Sequence, residues 1–432
     1  MSRLRFLLAL GLVAAGAAGF AIAFRASLAL LYRSLYGQGN VVDSIAGLPR
    51  WLRLVVPVAG AAVAGTIARL RAGGAHGVSN VMEAVALGNV RLSMRATASR
   101  FLSSWTAIAA GVSIGREGPL IEAGGALGAA VGRRAGTSLH QMRVLVAAGT
   151  AAGFAAAYNT PFAAALFVLE TIAGVTAPEL VLPVMAATLG ATAITRATVG
   201  EGPIYGQRAF GLESYADLFL FAALGVAAAM AAIGFKTVLA RLERWFEQHP
   251  VPQPFRAMIG GLIVGSIAVW LPIVAGNGYE PLNDILDAGM GVEMVALLVF
   301  AKVIATSGSV ASGIPGGIFT PMLLVGAALG AGWSETVAAV TSVPRNAGSY
   351  ALVGMAATTA ASIHAPLTAA VMIFELSGDY PLALPLILVT IISTAVSKAL
   401  GSESVYEMEL RKRGLGWDIT LEGRRVRPPP GR

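Results

Sequence analysis

The sequence predicts an all-α integral membrane protein built from two related halves of tilted and broken helices, and three observations carry that prediction. Of the 432 residues, 56% are hydrophobic and only 12% charged, against roughly 25% charged in an ordinary soluble domain. Apolar stretches recur along nearly the whole chain, some near the roughly 20 residues that cross a bilayer and others short and broken by glycine. The chain also matches itself at an offset of about half its length.

The first apolar stretch, Phe6 to Phe24, follows Met-Ser-Arg-Leu-Arg. That opening resembles a secretory signal, but the stretch runs directly into Arg25 without a convincing small-residue cleavage site, so it reads as a retained first helix. Val144 to Leu169 and Leu180 to Ile194 continue the pattern, and Leu218 to Phe235, Ala257 to Trp270, Ala351 to Phe374 and Leu382 to Val396 complete it. Between the runs lies Gly73-Gly74-Ala75-His76-Gly77-Val78-Ser79-Asn80, ahead of a helix-like Val81 to Leu87 that Ser79 or Asn80 would cap.

Formal charge is +8, with basic residues in short loops and at both ends: Arg3 and Arg5, then Arg411, Lys412, Arg413, Arg424, Arg425, Arg427 and Arg432. The positive-inside tendency then puts both termini in the cytoplasm, which requires an even number of crossings. Nucleic-acid binding is the poorer account of that charge, because a groove-reading face needs a soluble surface. With no cysteine and four scattered histidines, a thiolate metal site is excluded and a zinc enzyme disfavoured, and no cofactor is expected.

A shift of 202 positions lays Arg100 on Lys302, Gly111 on Gly313, Gly115 on Gly317, Pro119 on Pro321 and Gly124 on Gly326. A shift of 205 pairs Gly149 with Gly354, Pro161 with Pro366 and Glu170 with Glu375, each proline standing nine residues before its glutamate. Chance matching of Ala- and Gly-rich segments is the competing explanation, and the kept proline-to-glutamate spacing argues against it. A single transmembrane domain over residues 1–432 is thus expected to divide into halves at 1–200 and 215–410, with 411–432 a short basic cytoplasmic tail. Corresponding Gly- and Pro-broken segments point to a binding site where broken helices meet near the midplane. The pattern alone does not give the relative direction of the halves.

Gly115-Arg116-Glu117-Gly118-Pro119 sets two charges inside an apolar region, which is costly unless they pair or line an aqueous path. A helix starting near Pro119 presents unpaired N–H groups and a positive dipole end to an anion, and Glu117 is a tethered carboxylate able to take that place itself. Gly316-Gly317-Ile318-Phe319-Thr320-Pro321 is the counterpart in the second half. Each glycine cluster alone reads as a turn between packed helices; three in register with a repeat favour a site.

These motifs, with Asn159-Thr160-Pro161 leading to Glu170 and a late Ser404-Val405-Tyr406, resemble the CLC family of chloride channels and chloride/proton antiporters over essentially Leu54 to Leu410. The resemblance is to prokaryotic members without a C-terminal regulatory domain, and the tail is too short and polar to supply one. It implies an inverted-repeat CLC-type bundle, a homodimer with a separate pore in each subunit, and chloride or a similar small anion held by backbone amides and hydroxyls. On this reading the anion path is lined by His76, Gly77, Val78, Gly115, Glu117, Gly317, Ile318, Phe319 and Tyr406. Glu117 is the external gate, Tyr406 the inner hydroxyl (an interfacial anchor beside Arg411 is its bland alternative), and Arg116 shapes the outer vestibule. A bacterial inner membrane is the implied location.

Two departures bear on mechanism. Where the family carries a serine that touches the anion, this chain has His76: either its imidazole N–H replaces the hydroxyl, or it turns away and the backbone coordinates alone. The usual basis for chloride over nitrate is missing in both cases. The family's inner proton glutamate falls on Thr171, which leaves proton-coupled exchange through Glu170, His76 or water, a passive channel, or an uncoupled transporter. The retained Glu117 favours exchange. A reading of another class, an intramembrane serine hydrolase, rests on Gly111-Val112-Ser113-Ile114-Gly115 with His364 as base; the motif needs a strand before it and here lies between helical segments. His364 also stands at the repeat position of Asn159, which points instead to a helix-start role for both, such as N-capping ahead of Pro366 and Pro161.

Overall fold

The computed structural model describes residues 3–71, 77–87, 92–174, 178–200, 202–206, 208–212, 214–420 and 423–427. The first half runs α1 (Arg3–Tyr36), α2 (Val41–Ala46), α3 (Arg50–Arg71), α4 (Val78–Leu87), α5 (Met94–Ala109), α6 (Glu117–Arg134), α7 (Leu139–Tyr158), α8 (Pro161–Phe167) with a π turn at Val168–Ala173, and α9 (Pro178–Val199). The second runs α10 (Asp217–Gln248), α11 (Gln253–Ala268), α12 (Tyr279–Leu286), α13 (Val292–Ala311), α14 (Phe319–Thr341), α15 (Ala347–Ile363), α16 (Pro366–Ser377) and α17 (Ala383–Ala399), then α18 (Val405–Lys412). Among the described residues seven spans are long and apolar enough to cross a membrane, while α8 with its π turn and α16 are shorter apolar pieces. Leu12, Phe219, Phe300 and Val340 lie exposed on the outside, the apolar surface a bilayer requires.

At the 202 to 205 offset α5 to α9 correspond to α13 to α17, and their contacts give the relative direction that sequence leaves open. Gly115 and Gly317, repeat mates, pair as an antiparallel bridge. Each donates its amide to the other's carbonyl, at 2.6 and 2.8 Å. A reciprocal bond between equivalent residues puts a two-fold axis between them, as an inverted repeat demands.

The same symmetry recurs in the packing. Gly124 of α6 faces Gly149 of α7, and their mates Gly326 and Gly354 face each other between α14 and α15; a Cβ on any of the four would overlap the facing backbone. These glycines permit the backbone approach that small residues give membrane helix pairs.

Several local expectations are corrected. Helix α4 begins at Val78, so Ser79 and Asn80 lie in its first turn rather than capping it. Asn159 and His364 do not cap α8 and α16: they end α7 and α15 in the left-handed conformation, at φ 59° and 55°. Proline then starts the next helix with no side-chain cap from the preceding residue. The segment expected as a short basic tail carries an antiparallel hairpin, β1 (Gly416–Thr420) with β2 (Gly423–Arg427).

Candidate functional site

The broken helices converge on a cavity of ≈ 600 Å³. Its walls include the start of α4, the first turns of α6 and α14, and the N-terminus of α18. Glu117 opens α6 and is buried, 2% exposed. Its carboxylate crosses the two-fold to the other half, accepting the Phe319 N–H at 2.7 Å, the Thr320 N–H at 3.2 Å and the Thr320 hydroxyl at 3.1 Å. These are the orphan donors of α14, whose third residue is Pro321. Glu117 thus sits on the anion-attracting helix start that sequence had assigned to the second half.

Glycine makes that seat possible. A Cβ on Gly115 or on Gly317 would overlap the Glu117 carboxylate. Next to it Tyr158, the last residue of α7, shares a hydrogen bond of 2.7 Å with the Thr320 hydroxyl. Phe154 lies 5.4 Å edge-on to Phe319 and 4.8 Å from Phe167, which meets Tyr406 at 5.9 Å. An aromatic wall therefore runs from the Glu117 carboxylate to Tyr406, and only its two ends, Phe319 and Tyr406, are legible in the sequence.

The remaining candidates fall into separate groups. Val78, Ile318, Phe319 and Tyr406 line the cavity with Glu117. Gly77 also lines it, but its amide donates to Glu122 at 3.1 Å. His76 lies outside the described residues. Arg116, at the turn before α6, is not among the residues lining the cavity, and its guanidinium lies 5.5 Å from the Tyr279 ring centre. Glu170 accepts from the amides of Leu367 and Thr368 at 3.3 and 2.9 Å, capping α16. Its mate Glu375 caps α8 in the same way, taking Phe162 and Ala163 at 3.1 and 2.7 Å. Thr171 is buried in the π turn, and its hydroxyl finds no hydrogen-bond partner.

Ser113 and His364 do not form a catalytic pair. The Ser113 hydroxyl bonds Thr306 at 2.9 Å, and the His364 ring nitrogens face Ser397 at 3.1 Å and Glu407 at 3.9 Å.

Residues 59–398 match the model of the voltage gated chloride channel family. The chain belongs to that family. Membership carries anion transport across a membrane by channels and transporters, not enzymatic catalysis. A ClcB-like chloride channel protein of Ralstonia nicotianae is 38% identical over 414 residues, covering 93% of this chain and 96% of that protein. The voltage-gated ClC-type chloride channel ClcB of Escherichia coli is 29% identical over 410 residues, covering 91% of this chain and 96% of the other. Among solved structures, a slow cyanobacterial Cl−/H+ antiporter superposes with a TM-score of 0.86 at 21% identity, covering 96% of this chain and 99% of that one. A CLC-type fluoride/proton antiporter gives a TM-score of 0.72 at 18% identity, covering 95% and 99%. At those identities the superpositions establish the shared fold.

Proposed function

We propose that this family member exchanges chloride or a similar small anion for protons, with Glu117 as the movable gate. One observation carries the reading: the Glu117 carboxylate occupies the start of α14 through three hydrogen bonds and faces a cavity. A mobile anion and this carboxylate then compete for the same donors, and protonating Glu117 frees them. That competition couples proton uptake to anion movement. Gly115, Gly317, Ile318, Phe319 and Tyr406 form the path, with Gly77 and Val78 at its inner wall and Arg116 setting the outer field.

Thr171 favours a second reading, a passive channel or uncoupled transporter. No carboxylate stands at that position, and the neighbouring Glu170 is engaged as a helix cap. Liposomes holding the purified protein separate the two: with membrane potential clamped and a chloride gradient imposed, proton movement against its own gradient supports exchange. Chloride efflux with no proton movement supports the second reading. The proposal extends to a homodimer in a bacterial inner membrane with both termini in the cytoplasm, supported by the family and by the basic residues at both ends. Crosslinking in liposomes and protease access to the termini test those points.

A further inference from the structure

Glu117 is not the only carboxylate on α6 that fills a helix start. Five residues on, Glu122 is 2% exposed and lines the same cavity. One of its oxygens accepts the Gly77 N–H at the start of α4, at 3.1 Å. The other accepts from the Arg100 guanidinium, from Asn80 Nδ2 at 3.4 Å and from the Thr97 hydroxyl at 3.4 Å. Arg100 is itself 4% exposed, and its Nε finds no partner. A backbone amide at a helix N-terminus, a buried guanidinium, a carboxamide and a hydroxyl converging on one point are the donors of an anion site.

The second half is built differently at the equivalent position. The repeat mate of Glu122 is Leu324, and that of Arg100 is Lys302. In the second half Leu324 packs against Gly278 ahead of α12, and Lys302 instead donates to the Val274 and Gly276 carbonyls at 2.9 and 2.8 Å. The equivalent helix start thus receives no carboxylate from the position matching Glu122, and its first turn carries its own acid, Glu280.

We propose that the Arg100–Gly77–Asn80–Thr97 cluster is an anion-binding station held shut by the protein's own Glu122 carboxylate, so that a halide binds there only when that charge is removed. The proposal rests on the anion-transport reading above, but its readout is binding rather than flux. Replacing Glu122 by Gln keeps the shape and removes the charge, leaving Arg100 buried and unneutralised, which strongly favours a mobile anion beside it.

The test is bromide binding to the full chain in detergent and in crystals. Relative to the parent protein, Glu122→Gln should bind one more bromide per chain in calorimetry and show anomalous density between the Gly77 amide and the Arg100 guanidinium. Glu117→Gln serves as the reference for the pore. If that variant holds bromide beside Phe319 while Glu122→Gln shows neither density nor added stoichiometry, the station is overturned and the transport reading stands. Bromide absent from both variants sinks both. Should Glu122→Gln unfold on purification, it should be recovered folded in 0.5 M-scale bromide and not in gluconate, as mass action on the vacated site requires; no recovery in either medium overturns the proposal.

Discussion

Truncating the carboxylate proposed as the gate is the sharpest test of the site. In Glu117→Ala the α14 donors at Phe319 and Thr320 lose their internal ligand and are open to a mobile anion. A hydrogen bond to a charged group contributes about 1.5–3 kcal/mol net, while burying a carboxylate costs several kcal/mol. With three donors set against that cost, the seat is favoured by on the order of one such bond. Removing the competitor should therefore raise anion affinity roughly 10- to 150-fold, at 1.4 kcal/mol per decade. Calorimetric titration with chloride reads this directly, and Glu117→Gln, whose carboxamide oxygen can still accept one bond, should fall between parent and Ala. Any proton movement in liposomes should vanish in both variants while chloride flux persists. A Glu117→Ala protein that is folded but binds chloride within twofold of the parent, or passes none, would refute the idea of a displaceable internal anion.

The two-fold symmetry predicts that Glu170→Gln and Glu375→Gln destabilise by similar amounts, about 1–2 kcal/mol for a weakened charged cap, read as thermal unfolding in detergent. Glu170→Gln should also leave proton movement unchanged; coupling lost at unaltered stability would restore Glu170 to a proton path. Gly317→Ala drives a Cβ into the Glu117 seat and should mimic Glu117→Ala in chloride affinity. Combined with Glu117→Ala it should add less than about threefold, since both remove the same contact, and multiplying effects would refute the clearance argument. Tyr158→Phe deletes the bond to Thr320 and should cost about 1 kcal/mol of stability without stopping anion flux; arrested flux would give Tyr158 a direct part in the path.

What sequence reveals here is whatever glycine and proline mark locally. Pro119, Pro161, Pro321 and Pro366 announce helix starts because proline fixes the backbone and lacks the donor a first turn does not use, and all four stand within the first three residues of α6, α8, α14 and α16. The offset of 202 to 205 residues likewise survives as matched motifs. Partners of the helix-start amides are not legible, because they stand far off along the chain: Glu375 caps a helix 212 and 213 residues earlier, and Glu122 reaches back 45. Asn159 and His364 invite an N-cap reading by residue type, yet each is spent closing the preceding helix. Tyr158 gave no periodic signal within an alanine-rich helix, and the hairpin at 416–427 is too short for alternation to stand out against its charge.

Four glutamates in this chain perform one physical task. Each places a carboxylate on the orphan amides of a helix that begins inside the protein: Glu117 on α14, Glu122 on α4, Glu170 on α16 and Glu375 on α8. The helix dipole and unpaired donors make all four ends attractive to any anion, so the device by itself does not define a transport site. Access and pinning do. Glu170 and Glu375 join α8 to α16 as a reciprocal pair, and moving either would open the contact between the halves. Glu122 faces the cavity but is held by Arg100. Glu117 alone of the four combines a place on the cavity wall with no ion-pair partner among the described residues, and the two glycines beside it leave room for the carboxylate. A charge held only by neutral donors on a cavity wall is the one that a small anion replaces most readily, which is why the gating role is proposed for Glu117 and not for the other three.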